Sequence, residues 1–386
     1  MQHLGWRSTT LTLAALLLGA QACAGRAIVV DTSLPDGAPV EASDPAVWVA
    51  AARAGDDAYA RGLALAALVR AAPVGEAAAA LAASFDDEDL WVRRRAVRMA
   101  SVRLRRANPE PGLLAVMAAF ASREGDGDPA RALAAHALLD LGHPVAAEGW
   151  TADAPTLAAL TVSVRLAPQA ARSALLARVA GGELVDDPEV LDRLVALGGG
   201  DLAAALAAGI DGLEDEFGAA VGFARARLGD AEGRADWLRA LRGADPGQAR
   251  DALDLALRLP PGQQRKATLR PGRGAKDPAV RRAASLAKRP LPDRVLDAAS
   301  ADPFLAEVAV RLAAEQFIAR GTDPTPALTA GLTHPKASVV CVAAWSAMRL
   351  GLDLGAALDP LTRADDPKRR ACATAARYVG GAARGG

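Results

Sequence analysis

The sequence predicts an all-α fold, an α-solenoid of stacked helical hairpins, on three observations. The apolar residues are mostly Ala and Leu, an Asp-Pro dipeptide recurs where helices would begin, and apolar positions repeat with a helical period. Apolar residues make up 51% of the 386 positions but aromatic ones only 4%, a vocabulary of strong helix formers. Segments such as 63–69 and 201–208 are built from it, and alternating β-branched runs are nearly absent. The best strand candidate, 161–166 (TVSVRL), lies between helical segments with no partner strand, so it reads as helix or connector.

Asp-Pro occurs at Asp44-Pro45, Asp128-Pro129, Asp187-Pro188, Asp245-Pro246, Asp277-Pro278, Asp302-Pro303 and Asp366-Pro367, with His334-Pro335 as a variant. Asp caps the exposed amides of a first helical turn, and Pro at the first helical position sacrifices no hydrogen bond. Pro246, Pro278, Pro303, Pro335 and Pro367 are spaced by 32, 25, 32 and 32 residues, close to two short helices and their turns. Upstream, 86–89 (DDED) stands in for Asp-Pro, and a degenerate copy is expected to start near Pro155.

Within these units Val92, Ala96, Val97, Ala100 and Leu104 share one helical face, as do Leu305, Val308, Ala309 and Leu312. Val339, Val342, Ala343, Ser346 and Leu350 repeat the pattern. One such hairpin cannot bury its apolar stripe alone, so neighbours must stack, which predicts an elongated array with a long exposed surface. The segments 86–100 (DDEDLWVRRRAVRMA), 334–351 (HPKASVVCVAAWSAMRLG) and 365–380 (DDPKRRACATAARYVG) resemble HEAT repeats. They share an acidic or Pro-bearing turn, then Val or Arg, then small residues before a closing Leu-Gly or Val-Gly. The spacing near 32 is similar to the short bacterial HEAT-like repeats. The resemblance covers about two thirds of the chain and implies a fold while implying almost nothing about activity.

The amino terminus reads as an address. Arg7, an apolar run from about Leu11 to Ala20 and small residues before Cys23 have the layout of a secretory signal peptide over residues 1–22. The run is shorter than the roughly 20 residues of a spanning helix, and no later segment compensates, so a soluble body is expected. Ala20-Gln21-Ala22-Cys23 resembles the lipobox of bacterial lipoproteins, which implies acylation of Cys23; Ala20 departs from the usual Leu. Ordinary cleavage after Ala22 or Ala24 is the alternative. Residues 23–43 read as a flexible tether, 44–380 as the HEAT-like array and 381–386 as a disordered tail.

Basic and acidic residues balance at 45 each, so no global field favours a polyanion. Locally, 265–289 carries nine basic residues against Asp277, and 93–106 is Arg-rich. Arg93, Arg94, Arg98, Arg265, Lys266, Arg281, Arg282 and Lys288 are the candidate partner-binding residues. A solvated, dipole-compensating face is the competing reading.

Catalytic and metal constellations are not recognisable: His136, His143 and His334 lack ligand spacing, no His-Glu step, phosphate loop or Gly-x-Ser-x-Gly occurs, and no cofactor is expected. Gly198-Gly199-Gly200 reads as a helix stop. Cys341 and Cys372 fall in successive repeats, but their registers differ by one residue, or about 100° of rotation; they read as buried free thiols, with a disulfide as the alternative.

The expectation is therefore a non-enzymatic scaffold that binds another envelope protein and meets the membrane only through a lipid anchor, as an outer-membrane lipoprotein facing the periplasm. The alternatives are a secreted periplasmic form, a binder of anionic polymer or lipid through 265–289, and a cytoplasmic nucleic-acid binder if the signal reading fails. No small-molecule substrate is expected.

Overall fold

The computed structural model of the chain describes residues 58–71, 74–105, 111–123, 128–183, 188–210, 215–286 and 291–385, together with Ala52. Among the described residues every regular element is a helix. The chain runs through α1 (Ala58–Ala71), α2 (Val74–Ser84), α3 (Leu90–Leu104), α4 (Pro111–Ala121), α5 (Pro129–Asp140), α6 (Leu157–Leu166) and α7 (Pro168–Ala180). It continues through α8 (Pro188–Leu197), α9 (Gly200–Gly209), α10 (Asp215–Arg227), α11 (Ala231–Arg242), α12 (Pro246–Arg258) and α13 (Gln263–Leu269), which passes into a 3-10 turn at Arg270–Gly274. The last third holds α14 (Pro278–Leu286), α15 (Leu291–Ala298), α16 (Pro303–Arg320), α17 (Thr325–Leu332), α18 (Ala337–Leu350), α19 (Gly355–Leu358), a 3-10 turn Leu361–Arg363, and α20 (Pro367–Gly385). The 161–166 stretch is helical, as expected; α6 begins at the Thr156 cap, where the degenerate copy near Pro155 was anticipated.

The helix starts follow the local chemistry. The carboxylates of Asp128, Asp245, Asp277, Asp302 and Asp366 each accept from a first-turn amide of the helix they precede. His334 does the same work with its ring: Nδ1 accepts from the Lys336 amide at 3.0 Å while Nε2 donates to the Ser300 carbonyl at 2.8 Å, which defines a neutral tautomer. A second regularity escaped sequence reading. Arg93, Arg281 and Arg370, each four positions into its helix, turn back and donate to the carbonyl six residues earlier, at Asp87, Ala275 and Ala364. Each turn is thereby tied to the helix it introduces.

Helices pack on near neighbours in the chain. A first row of helices sits side by side, α1 on α3, α3 on α5, α5 on the next helix α6, and from there alternate members, α6 on α8, α8 on α10, α10 on α12, α12 on α14, α14 on α16, α16 on α18 and α18 on α20. The other helices add a partial second row, with α2 on α4, α7 on α9, and α15 and α19 on α17. The predicted apolar faces are where the core lies: Val92, Ala96, Val97 and Ala100 are fully buried, and Leu305, Val308, Ala309 and Leu312 nearly so. In α18, Val342 and Leu350 are half-buried, whereas Val340, Cys341, Ala344 and Ala347 are inside, because this helix is enclosed by α16, α17 and α20 at once.

Three expectations need correction. The array is not elongated: α20 packs against α1, and α18 also touches it, so the first row closes on itself. Enclosure on several sides explains why α1 is buried from Arg61 through Val69 without an amphipathic pattern. The 263–276 stretch, which lacks apolar periodicity and reads in sequence as an exposed loop interrupting the array, is helical through Gly274. Arg265, Leu269, Gly272 and Ala275 are buried along one side of it, and Gly272 is required there because a Cβ would lie 3.0 Å from Ala284 Cβ and 3.1 Å from Leu253 Cδ1. Sequence periodicity missed this face since its members are an Arg, a Gly and an Ala beside one Leu. Finally, α20 extends to Gly385 where a tail from 381 was expected, carried on by Ala382, Ala383 and Arg384.

Candidate functional site

The charged surfaces singled out by sequence are largely engaged within the molecule. Arg93 pairs with Asp128 at 2.9 Å, Arg98 with Glu189, and Arg94 approaches the same Glu189 at 3.9 Å. Arg265 is 4% exposed and bonds Glu315 at 2.7 Å, in a shallow hollow lined also by Leu257, Val308 and Arg311. Arg282 pairs with Asp297 at 2.8 Å, and Arg281 serves the turn described above. Sequence could not separate these from free cations, because their carboxylates arrive from 15 to 91 positions away. Lys266 is exposed and has no partner among the described residues; Lys288 and Cys23 lie outside them.

A basic ridge remains. Lys266, Arg270, Arg273 and Lys276 are exposed, without side-chain partners among the described residues, each one position after a buried residue, Arg265, Leu269, Gly272 and Ala275 respectively. Helical spacing explains the segregation, since residues three and four apart share a face.

Elsewhere the ionic network is internal. Asp254 bridges Arg258 and Arg311 at 3.0 and 2.9 Å, and Arg250 joins Asp277 to the Asp302 cap at 2.9 and 2.8 Å. His136 is 2% exposed; its Nε2 donates to Thr161 Oγ1 at 2.8 Å, because that hydroxyl spends its own proton on the Ala158 carbonyl. Nδ1 therefore accepts, and Arg165 Nη1 lies 3.2 Å from it. Burial first, then the charges of Arg193 and Arg165, push the His136 pKa down to about 2, so the ring is neutral. His136 and His334 both act in packing and capping, and among the described residues no three His, Cys, Asp or Glu side chains gather as a metal site.

Cys341 and Cys372 form a disulfide, with Cα atoms 5.3 Å apart, correcting the expectation of free thiols. The one-residue offset, taken as an obstacle, is what permits the bond. Identical positions in successive parallel helices point the same way, so two side chains face each other only when their registers differ.

The largest departure from the sequence reading lies where α1 and α20 meet. Lys368 Nζ lies 5.3 Å from the Tyr59 ring centroid, and Tyr59 stacks on Trp91 at 5.9 Å. Arg95 follows, its guanidinium 5.0 Å from the Trp91 ring and 3.8 Å from Trp345. The strip thus takes residues from α20, α1, α3 and α18 in turn. Gly62 on α1 makes room for it: a Cβ there would lie 2.2 Å from Trp91 Cζ3, and the Gly62 carbonyl accepts from Arg95 Nε at 3.0 Å. Arg70 Nη1 also crosses the junction to the Arg349 carbonyl at 2.6 Å. All five side chains of the strip are half-buried. Protein surrounds Arg95 densely enough that desolvation lowers its pKa to about 9, eased by Tyr59 and aggravated by Arg98. No carboxylate among the described residues bonds it. The available signal was the spacing of Trp91 and Arg95, one turn apart, but Tyr59 and Trp345 could not be placed beside them without the closure.

No protein-family model matches this chain, and no curated protein matches it. Among the described residues no helix is long and apolar enough to cross a membrane.

Proposed function

We propose that this chain is a HEAT-like helical-repeat scaffold of the bacterial cell envelope, exported by its first 22 residues, tethered through an acyl group on Cys23, and holding another envelope protein on its surface. The observation that carries the reading is the repeated unit itself: a capped turn, an Arg bonded back to that turn and a helix laid beside its equivalents from α1 to α20. Such a unit buries its stripe by stacking and leaves the remaining faces for partners. The disulfide supports it, since a lasting bond of this kind belongs to an oxidising compartment.

Cells grown with labelled palmitate test the anchor. Label should enter the protein and disappear in Cys23→Ala; equal labelling of both forms, or recovery of the unprocessed chain in the cytosol, overturns it. In-cell cross-linking tests the scaffold role: a defined envelope protein should be joined to the wild type, and its absence from all cross-linked species counts against the reading.

The ridge of Lys266, Arg270, Arg273 and Lys276 favours a second reading, a binder of anionic polymer or lipid. Reversal to Glu at Lys266 and Arg273 should then abolish retention on vesicles containing phosphatidylglycerol, and unchanged retention removes it.

A further inference from the structure

We infer that the strip formed by Tyr59, Trp91, Arg95 and Trp345 is a docking site for an acidic segment of a partner protein, with a partner carboxylate seated on the terminal nitrogens of Arg95. The inference deepens the scaffold reading above and rests on it.

The geometry leaves Arg95 one open edge. Its guanidinium carbon lies 5.0 Å from the Trp91 ring centroid and 3.8 Å from that of Trp345, and Nε is committed to the Gly62 carbonyl. The two terminal nitrogens have no partner among the described residues and are not among the unsatisfied nitrogens sealed from solvent. A planar cation held against two indoles, with its terminal nitrogens uncommitted, presents two parallel N–H donors, the arrangement that matches a carboxylate. Neighbouring Arg61, Arg93 and Arg98 each face a carboxylate of this chain, so the empty edge is specific to Arg95. Charges this enclosed are ordinarily paired, and among the described residues no carboxylate supplies the pair, which we assign to the partner.

The surroundings suit a protein partner. Three of the chain's eight Trp and Tyr residues line this strip, all half-buried, and Trp, Tyr and Arg are the side chains that dominate binding at protein interfaces. Lys368, at the far end over Tyr59, supplies a second cation for a second acidic residue.

The probe is a fluorescein-labelled peptide of alternating Glu and Phe, with a Gln-for-Glu analogue as the neutral control, titrated by anisotropy against the full chain. The wild type should bind the Glu peptide at least tenfold more tightly than the Gln analogue. Arg95→Gln should erase that difference, whereas Arg234→Gln, the same loss of charge at an exposed position, should leave at least half of it. Because Arg95→Gln also removes the bond to the Gly62 carbonyl, phenylglyoxal modification of the unaltered chain is the companion measurement: Arg95 should react in the free protein and be protected by the Glu peptide. Equal binding of both peptides, or unprotected Arg95, overturns the site. Displacement of the peptide by equimolar inorganic phosphate also overturns it, by making this a small-anion site. A partner cross-linked in cells at residues away from the strip would remove this site and leave the scaffold reading standing.

Discussion

The Tyr59 hydroxyl lies 3.3 Å from Cys372 Sγ, a contact between residues 313 positions apart. It joins the first described helix to the last, and it does so at the sulfur of the disulfide that links α18 to α20. The helices α1 and α20 and the one covalent cross-link among the described residues therefore meet at a single place.

Reduction should loosen that place measurably. Closing a loop of 31 residues stabilises a fold by about 3 to 4 kcal/mol in the chain-entropy treatment. Cys372→Ala should lower the denaturation midpoint accordingly, and non-reducing peptide mapping of the wild type should recover the Cys341 and Cys372 peptides joined. Recovery as two free-thiol peptides defeats the expectation.

Gly62 should tolerate no side chain. A methyl group directed into the Trp91 ring forces the indole or α1 to move, an overpacking that costs roughly 1–3 kcal/mol. Gly62→Ala should melt earlier than wild type and lose part of its near-ultraviolet aromatic dichroism; an unchanged spectrum and melt would show that the indole has room.

His136 should make the fold acid-sensitive. Its folded pKa lies near 2, far below its ordinary value of about 6.5, so the unfolded chain takes up a proton that the folded chain refuses. The contribution is complete above about pH 6.5 and declines as the pH falls; by pH 5 the loss is about 2 kcal/mol. Urea denaturation at pH 7.5 and 5 should show this difference in wild type and less of it in His136→Gln. Parallel pH profiles would refute the assignment.

His334 should be replaceable by Asp more readily than by Ala. Asp retains an acceptor for the Lys336 amide and forgoes only the bond to the Ser300 carbonyl, whereas Ala loses both. The Ala variant should be destabilised by about 1 kcal/mol or more and the Asp variant by less. Thermal melts in the reverse order would mean that the Ser300 bond matters more than the cap.

Adjacent residues should behave oppositely at 265 and 266. Arg265→Met strands the Glu315 carboxylate and should cost roughly 3–5 kcal/mol, whereas Lys266→Ala should fall within about 0.5 kcal/mol. Equal denaturation midpoints for the two variants would contradict the placement of Arg265.

What sequence could reveal followed from how local each feature is. Capping by Asp128, Asp245, Asp277, Asp302 and Asp366 depends on residues two or three positions away, so the Asp-Pro steps located those helices. The apolar face of α3 was legible for the same reason, since Val92, Ala96, Val97 and Ala100 follow one period. Arg265 and Lys266 look alike in sequence, because the carboxylate that distinguishes them is Glu315, 50 positions on. The strip around Arg95 was hidden more deeply. It exists only because α18 and α20 return to α1 and α3, a global property of accumulated curvature that no single repeat records.

That return also governs how the molecule can change. A row of helices with two ends can shed its outermost unit, or gain one by duplication, and the remainder still fits. Here each member of the first row has a neighbour on both sides, so fraying has no natural starting point other than the junction of Tyr59 with Cys372. An inserted or deleted unit would leave that junction out of register, and the number of units is thereby fixed by the need to meet.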